Sequence, residues 1–270
     1  MKSMRLKMTT MLVLVVLIST GLLFLITYQR ARDSLSAQME DNYGVVADRY
    51  AQELTAWINS NATLIDTLAA DISASGIYKE DYEAFHSFLA GCLEQLNREA
   101  VIYDIYFTYP DNTMACASDF LPDGSVDYVH DREWFTVAAG TGELYYSSPY
   151  MDTDSKKPVI TISKGVYKEN TLQGVLAADI FVDVLVDIIS GAEVAPDSYA
   201  FLVDQNLGMI VHPNEAYRFE DTPIGVMDLP DAPYAEVVSK IRSDADGTVF
   251  LTDYDGVNRG CTNKFRVFTI

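Results

Sequence analysis

Apolar side chains run without a charge from Met8 to Tyr28, then recur at three- and four-residue steps, and finally give way to alternation. The uncharged stretch is 21 residues long, about 30 Å as a helix, which matches the hydrocarbon thickness of a bilayer. Lys2, Arg5 and Lys7 precede it, and Arg30 and Arg32 follow it. The leading charges predict a cytoplasmic N-terminus over residues 1–7, a transmembrane helix over 8–28, and an extracytoplasmic remainder. A cleaved signal peptide is the alternative. Its apolar core would span about 7–15 residues and end at a small-x-small site, which Thr27-Tyr28-Gln29-Arg30 does not offer. The expected location is therefore the inner (plasma) membrane, crossed once.

From Ala31 to about Ser75 the pattern is that of one long helix. Leu35, Met39, Tyr43, Val46, Tyr50, Leu54, Trp57, Leu64, Leu68 and Ile72 fall at helical steps with one longer gap, and no proline interrupts them. A stalk over residues 30–75 is expected, its first half able to pair with a second copy as a homodimer and its second half lying on the folded domain. Gly76 is the predicted stop, and a second helix follows near 81–97 with Phe85, Phe88, Leu89, Leu93 and Leu96 on one face. After Arg98 the period becomes strand-like. Strands are predicted at 101–109 and 113–118, around the turn Pro110-Asp111-Asn112. A loop with Pro122-Asp123-Gly124 leads to Tyr128–Phe135, read in the same extended series. Three more strands are predicted near 144–148, 158–166 and 174–181, then a short helix at 182–189. A second group begins at Ser198, with strands at 199–204, 208–212 and 248–254, a helix at 232–242 and a hairpin around Gly256. The predicted class is α+β: a long helix carrying one antiparallel-sheet module over 76–190 and a second over 191–270. The second reads as incomplete, because the chain stops at Ile270 with no second apolar span.

Composition narrows the function. The 270 residues are 49% hydrophobic and carry a formal net charge of −20, which excludes a disordered polar chain and argues against nucleic-acid binding, since that needs a basic face. The imbalance is uneven: residues 1–32 hold five basic and no acidic side chains. Cys92, Cys116 and Cys261 are too few and scattered for a disulfide framework or a zinc site, and His86, His130 and His212 share no ligand spacing. No metal or cofactor is expected. With no Gly-x-Ser-x-Gly, phosphate loop or nucleophile–base pair, neither is an enzyme.

Three clusters remain: Asp131-Arg132-Glu133-Trp134-Phe135, Pro149-Tyr150-Met151-Asp152 and Ala177-Ala178-Asp179-Ile180. With the layout above they resemble the double-Cache (dCache) family, the extracytoplasmic sensor domains of bacterial chemoreceptors, histidine kinases and diguanylate cyclases. The resemblance spans about residues 30–255 and implies a membrane-distal and a membrane-proximal PAS-like module on a long helix, with a small ligand in the distal pocket. Within that family the spacing is similar to an amino-acid-binding motif. Arg132 and Trp134 match its carboxylate-binding pair. Asp152, 17 residues after Phe135, and Asp179, 27 further on, match the acids that meet the ligand amine. Phe135 stands where the motif has Tyr. The motif's upstream Tyr position is Asp127, with Tyr128 its neighbour; a one-residue slip reverses a side chain in a strand but not necessarily in a loop.

The chemistry of these residues suits a zwitterion. Arg132 offers a planar donor fork for a carboxylate, Trp134 an indole N–H and an apolar wall, and Asp152 and Asp179 accept from an ammonium. Tyr145, Tyr146 and Tyr150 are read as pocket wall or core. Asp179 lies in an apolar strand, where a carboxylate needs a partner; a structural ion pair with Arg132 would meet that need equally well. The sequence thus predicts a membrane-anchored sensor domain that binds a small extracellular metabolite, an amino acid or related carboxylate, for transmembrane signalling or chemotaxis. The alternative is a stand-alone anchored solute-binding protein with no signalling output of its own.

Overall fold

The structure is a computed structural model that describes residues 2–263, apart from 97–100, 191–197, 205, 206, 218, 220–223, 230–233, 244–246 and 254. The first unit covers Met1–Val46 and the second Ala47–Ile270. Helix α1 runs Lys2–Ser75, and its apolar N-terminal part is long and hydrophobic enough to cross a membrane. The predicted stop holds: Gly76 sits at φ 70°, and its N–H reaches the Ile72 carbonyl at 3.0 Å. Helix α2 (Tyr82–Leu96) starts where Asp81 Oδ1 accepts the Ala84 N–H at 2.9 Å.

Strand β1 (Ile102–Thr108) and strand β2 (Met114–Cys116) form a hairpin around Asn112. Residues 128–135 depart from the extended reading. They form helix α3 (Tyr128–Asp131) and begin helix α4 (Glu133–Thr141). Local propensity favours strand here, but capping decides otherwise: Asp127 Oδ1 accepts the His130 N–H at 3.1 Å, and Gly142 closes α4 at φ 71°. Strands β3 (Leu144–Tyr146), β4 (Tyr150–Met151), β5 (Pro158–Lys168) and β6 (Thr171–Phe181) follow, then helix α5 (Val182–Ser190). Glu169 and Asn170 join β5 to β6 at φ 50° and 62°, the paired positive values of a tight hairpin turn. The sheet order is β2-β1-β6-β5-β3, with β4 also on β5, so β6 is central and antiparallel to both neighbours.

Alternation on these strands separates two faces. Ile105, Phe107, Ile162, Leu176 and Ala178 pack against Ile65, Leu68 and Ile72 of α1 and Phe85 and Leu89 of α2. The opposite face presents Tyr106, Val175 and Ala177 to Trp134, Phe135 and Ala138 of α4. Gly174 permits close passage of β6 by β1: an added Cβ would lie 2.3 Å from a Phe107 ring carbon and 2.6 Å from the Thr108 carbonyl oxygen. Gly174→Ala is therefore expected to lower stability by about 1–3 kcal/mol through overpacking, read as a reduced midpoint in urea at unchanged slope.

Beyond α5 lie strand β7 (Leu202–Val203), strand β8 (Met209–Val211), helix α6 (Ala235–Arg242), strand β9 (Gly247–Thr252) and strand β10 (Asn258–Asn263). β9 and β10 make the expected hairpin, with Gly256 at φ 78° in its turn. Met209, Tyr234, Val237, Val249 and Leu251 belong to a separate core. Val182, Leu185 and Ile189 of α5 pack with Leu54 of α1 and with Ile210 and Val211. Residues 232 and 233 of the predicted helix, residue 254 of the predicted strand and residues 264–270 lie outside the described residues.

Candidate functional site

The two-residue period of a strand fixes one wall of a cleft. Asp104 and Tyr106 of β1, Thr161 of β5 and Asp179 of β6 share the face opposite α1 and α2, because Asp179 is register partner of both Asp104 and Thr161. Asn112 sets the facing wall. At φ 71°, its Oδ1 accepts the Tyr128 N–H at 2.8 Å and its Nδ2 donates to the Val126 carbonyl at 3.0 Å, which holds the start of α3. Ser163 donates to the Trp134 carbonyl at 2.8 Å and pins α4 to β5. The residues between β4 and β5 cover the gap. There Asp152 Oδ2 accepts the Ser155 N–H at 2.6 Å, the Ser155 hydroxyl at 2.7 Å and the Asp154 N–H at 3.2 Å. Asp152→Ala should cost about 1–2 kcal/mol by unmaking this turn, seen as a lower unfolding midpoint of the free protein.

Of the residues singled out from sequence, Tyr128, Arg132, Trp134, Asp152 and Asp179 all line one cleft, together with Tyr103, Asp104, Tyr106, Met114, Cys116, Phe120, Tyr150, Thr153 and Asp154. The cleft holds a partly open cavity of about 20 Å³, room for roughly one water. Phe135 does not line it; it is buried behind Trp134, ring centroids 6.0 Å apart. Tyr128 reaches the cleft because it opens a helix rather than continuing a strand, so the one-residue offset from Asp127 does not turn it away. Asp127 caps that helix at the surface instead.

Asp179 is 4% exposed, and its Oδ1 accepts from the Thr161 hydroxyl at 2.6 Å, the Tyr106 hydroxyl at 2.9 Å and more distantly from the Tyr150 hydroxyl at 3.4 Å. All three bonds go to the same oxygen; Oδ2 takes none among the described residues. Burial pushes this carboxyl up to about 7, against the hydroxyl bonds that favour its ionised form, and the Asp152 charge adds to the rise. No ion pair joins Arg132 to Asp179 among the described residues. The Arg132 guanidinium instead lies 4.9 Å from the Tyr150 ring centre and donates from one terminal nitrogen to Thr153 Oγ1 at 3.2 Å. Three buried side-chain nitrogen or oxygen atoms lack a hydrogen-bond partner among the described residues: Arg132 Nε, Trp134 Nε1 and Thr108 Oγ1. The first two belong to cleft residues, and an unpaired buried donor costs about 1–3 kcal/mol.

Asp104, Tyr106 and Thr161 were not singled out from the sequence. Asp104 carries the same cue that marks Asp179, an acid inside an apolar strand. Its Oδ1 accepts the Ile105 and Ser118 N–H groups at 2.8 and 2.9 Å, its Oδ2 accepts the Ser118 hydroxyl at 2.6 Å, and burial raises its carboxyl. Tyr106 and Thr161 have no cue short of the strand register. Chemically, the cleft can present unpaired N–H donors to an anion and a carboxylate oxygen to a cation within one small space.

A Cache domain family model, dCache_1, matches residues 27–267. The chain belongs to the dCache family. Among curated relatives, the methyl-accepting chemotaxis protein PscA of Pseudomonas syringae pv. tomato is 26% identical over 84% of this chain and 36% of its own length. PctB of Pseudomonas aeruginosa is 25% identical over 75% of this chain and 31% of its own. The chain thus spans about a third of the length of such relatives. Among solved structures, the ligand-binding domain of the Campylobacter jejuni chemoreceptor Tlp3 in complex with L-norvaline superposes with a TM-score of 0.62, covering 84% of this chain and 86% of that one at 18% identity. That of the Pseudomonas fluorescens chemoreceptor CtaA in complex with L-isoleucine gives 0.57, covering 70% and 75% at 21% identity. At these identities the likeness is one of fold: a dCache α+β architecture on a long N-terminal helix.

Proposed function

We propose that this dCache chain is the sensory part of a membrane-anchored chemoreceptor-type protein, and that the cleft beneath α4 binds an α-amino acid or a closely related amine-bearing carboxylate outside the cytoplasm. The observation that carries this reading is the pair of buried donors without partners, Arg132 Nε and Trp134 Nε1, in the same cleft as Asp179. A ligand carboxylate satisfies both donors, and an ammonium at Asp179 Oδ2 removes the penalty of an ionised buried acid. Asp152 and Tyr128 line the same space. Charge-assisted hydrogen bonds contribute about 1.5–3 kcal/mol each, so three or four support roughly micromolar binding after association costs.

Binding is expected to bias the position of α1. Lys164 of β5 pairs with Asp66 of α1 at 3.0 Å, and Ser73 of α1 donates to the Tyr167 carbonyl at 2.7 Å, so sheet and helix move together. The proposed module limits are 76–190 for the ligand-binding part and 191–270 for the second, with homodimerisation along α1. Thermal unfolding of the full chain in detergent, against amino acids, small carboxylates, amines and nucleobases, tests the reading. A ligand at 100 times its dissociation constant stabilises by about 2.7 kcal/mol. Stabilisation by amino acids supports the proposal; stabilisation only by a ligand lacking either charged group refutes it.

A further inference from the structure

The two ends of the cleft differ in character. On the β5 side, hydroxyls of Thr161 and Tyr150 crowd Asp179 Oδ1, and Thr153 closes over Arg132. On the β1–β2 side the lining turns apolar, with Met114 and Cys116 from β2 and Phe120 from the loop after it. Cys116 is the register partner of Tyr106, and Tyr106 in turn of Ala177, so from Asp179 on β6 to Cys116 is two strand spacings across and two residues along, about 12 Å. That is side-chain reach for a ligand whose amine sits at Asp179 and whose carboxylate sits at Arg132 and Trp134.

This wall offers little to a charged or strongly polar group. Both oxygens of Asp104 are engaged by Ile105 and Ser118, and Asp154 Oδ2 accepts the Tyr103 hydroxyl at 2.5 Å. Burial pushes the Cys116 thiol far above its ordinary range, so it stays neutral and behaves as a small hydrophobe. Its strand is fixed, since His86 Nδ1 lies 2.7 Å from the Cys116 carbonyl oxygen. Met114 and Phe120 are only half-buried, and the unbranched thioether can swing aside to lengthen the cavity.

Resting on the amino-acid reading above, we propose that Met114, Cys116 and Phe120 form the side-chain subsite of the cleft and select an uncharged aliphatic or thioether amino acid of about leucine or methionine length. Each methylene placed in such a subsite changes affinity by about tenfold or more.

The test is calorimetric titration of the full chain in detergent with L-leucine, L-methionine, L-alanine, L-glutamate and L-lysine. Leucine or methionine should bind at least tenfold more tightly than alanine, and about 100-fold more tightly than glutamate or lysine. Cys116→Phe, which fills the subsite, should lower the leucine-to-alanine affinity ratio by tenfold or more. Phe120→Ala, at a half-buried position in the loop after β2, should lower the same ratio and keeps the test decisive if the strand variant does not fold. A preference for a charged side chain, or an unchanged ratio in the folded variants, overturns the subsite and leaves the amino-acid reading standing. Binding of no amino acid overturns both.

Discussion

Replacing Arg132 by alanine is expected to weaken amino-acid binding by at least 100-fold while leaving the free domain folded. Among the described residues Arg132 is the one arginine lining the cleft, and its Nε is buried without a partner while one terminal nitrogen engages Thr153 at 3.2 Å. Two parallel charge-assisted bonds to a ligand carboxylate are worth about 3 kcal/mol or more together, and about 1.4 kcal/mol is a factor of ten. The free protein loses much less, since one hydrogen bond to a hydroxyl and the stacking on Tyr150 together contribute about 1–2 kcal/mol. Arg132→Lys keeps the charge but not the fork, so it should recover only part of the affinity. Titration of both variants reads the effect; retention of binding within about threefold in Arg132→Ala would remove Arg132 as the carboxylate anchor.

Asp179→Asn should separate stability from binding. A buried carboxyl raised to about 7, from an ordinary value near 3.8, holds its proton more tightly in the folded state than in the unfolded one. Its contribution to stability is therefore fully present below about pH 4 and is lost as pH rises toward 7; above that the folded protein carries an ionised buried acid, at a cost on the order of a few kcal/mol. An amide keeps an acceptor for the Thr161 and Tyr106 hydroxyls and carries no charge. Asp179→Asn should therefore raise the unfolding midpoint of the free protein at pH 8 and flatten its dependence between pH 4 and 8. Binding of the proposed amine ligand is expected to show the opposite dependence, because an ammonium pairs with the ionised form. Wild-type affinity should fall toward tenfold per unit as pH drops below about 7, with proton release on binding, and the amide variant should bind weakly at every pH. A variant less stable at pH 8, or a pH-independent wild-type affinity, would contradict this assignment.

How much was legible in sequence depended on whether the cause was local. α1, its stop at Gly76 and the hairpin turning at Gly256 follow from periodicity and from glycines that adopt positive φ without strain. The aromatic and β-branched residues between Tyr128 and Phe135 favour a strand by local propensity, whereas a single carboxylate cap at Asp127 and packing on β5 make the segment helical. The difference bears on the site directly, since the helix is what turns Tyr128 into the cleft and Phe135 away from it. Arg132, Trp134, Asp152 and Asp179 were accessible through the resemblance of their spacing to the family motif, and all four line the cleft. Asp104 and Thr161 depend on cross-strand register with Asp179, a relation among segments 18 to 75 residues apart that no local pattern encodes.

The placement of Asp179 has a mechanical corollary. β6 is hydrogen-bonded along both edges, so it neither bows nor compresses easily, and only Ile180 and Phe181 separate Asp179 from the first turn of α5. α5 in turn grips Leu54 of the long helix and Ile210 and Val211 of β8 through Val182, Leu185 and Ile189. The strand thus behaves as a push-rod with no slack: a small axial pull on the carboxylate arrives, undamped by any loop, at the junction where the long helix meets the second core.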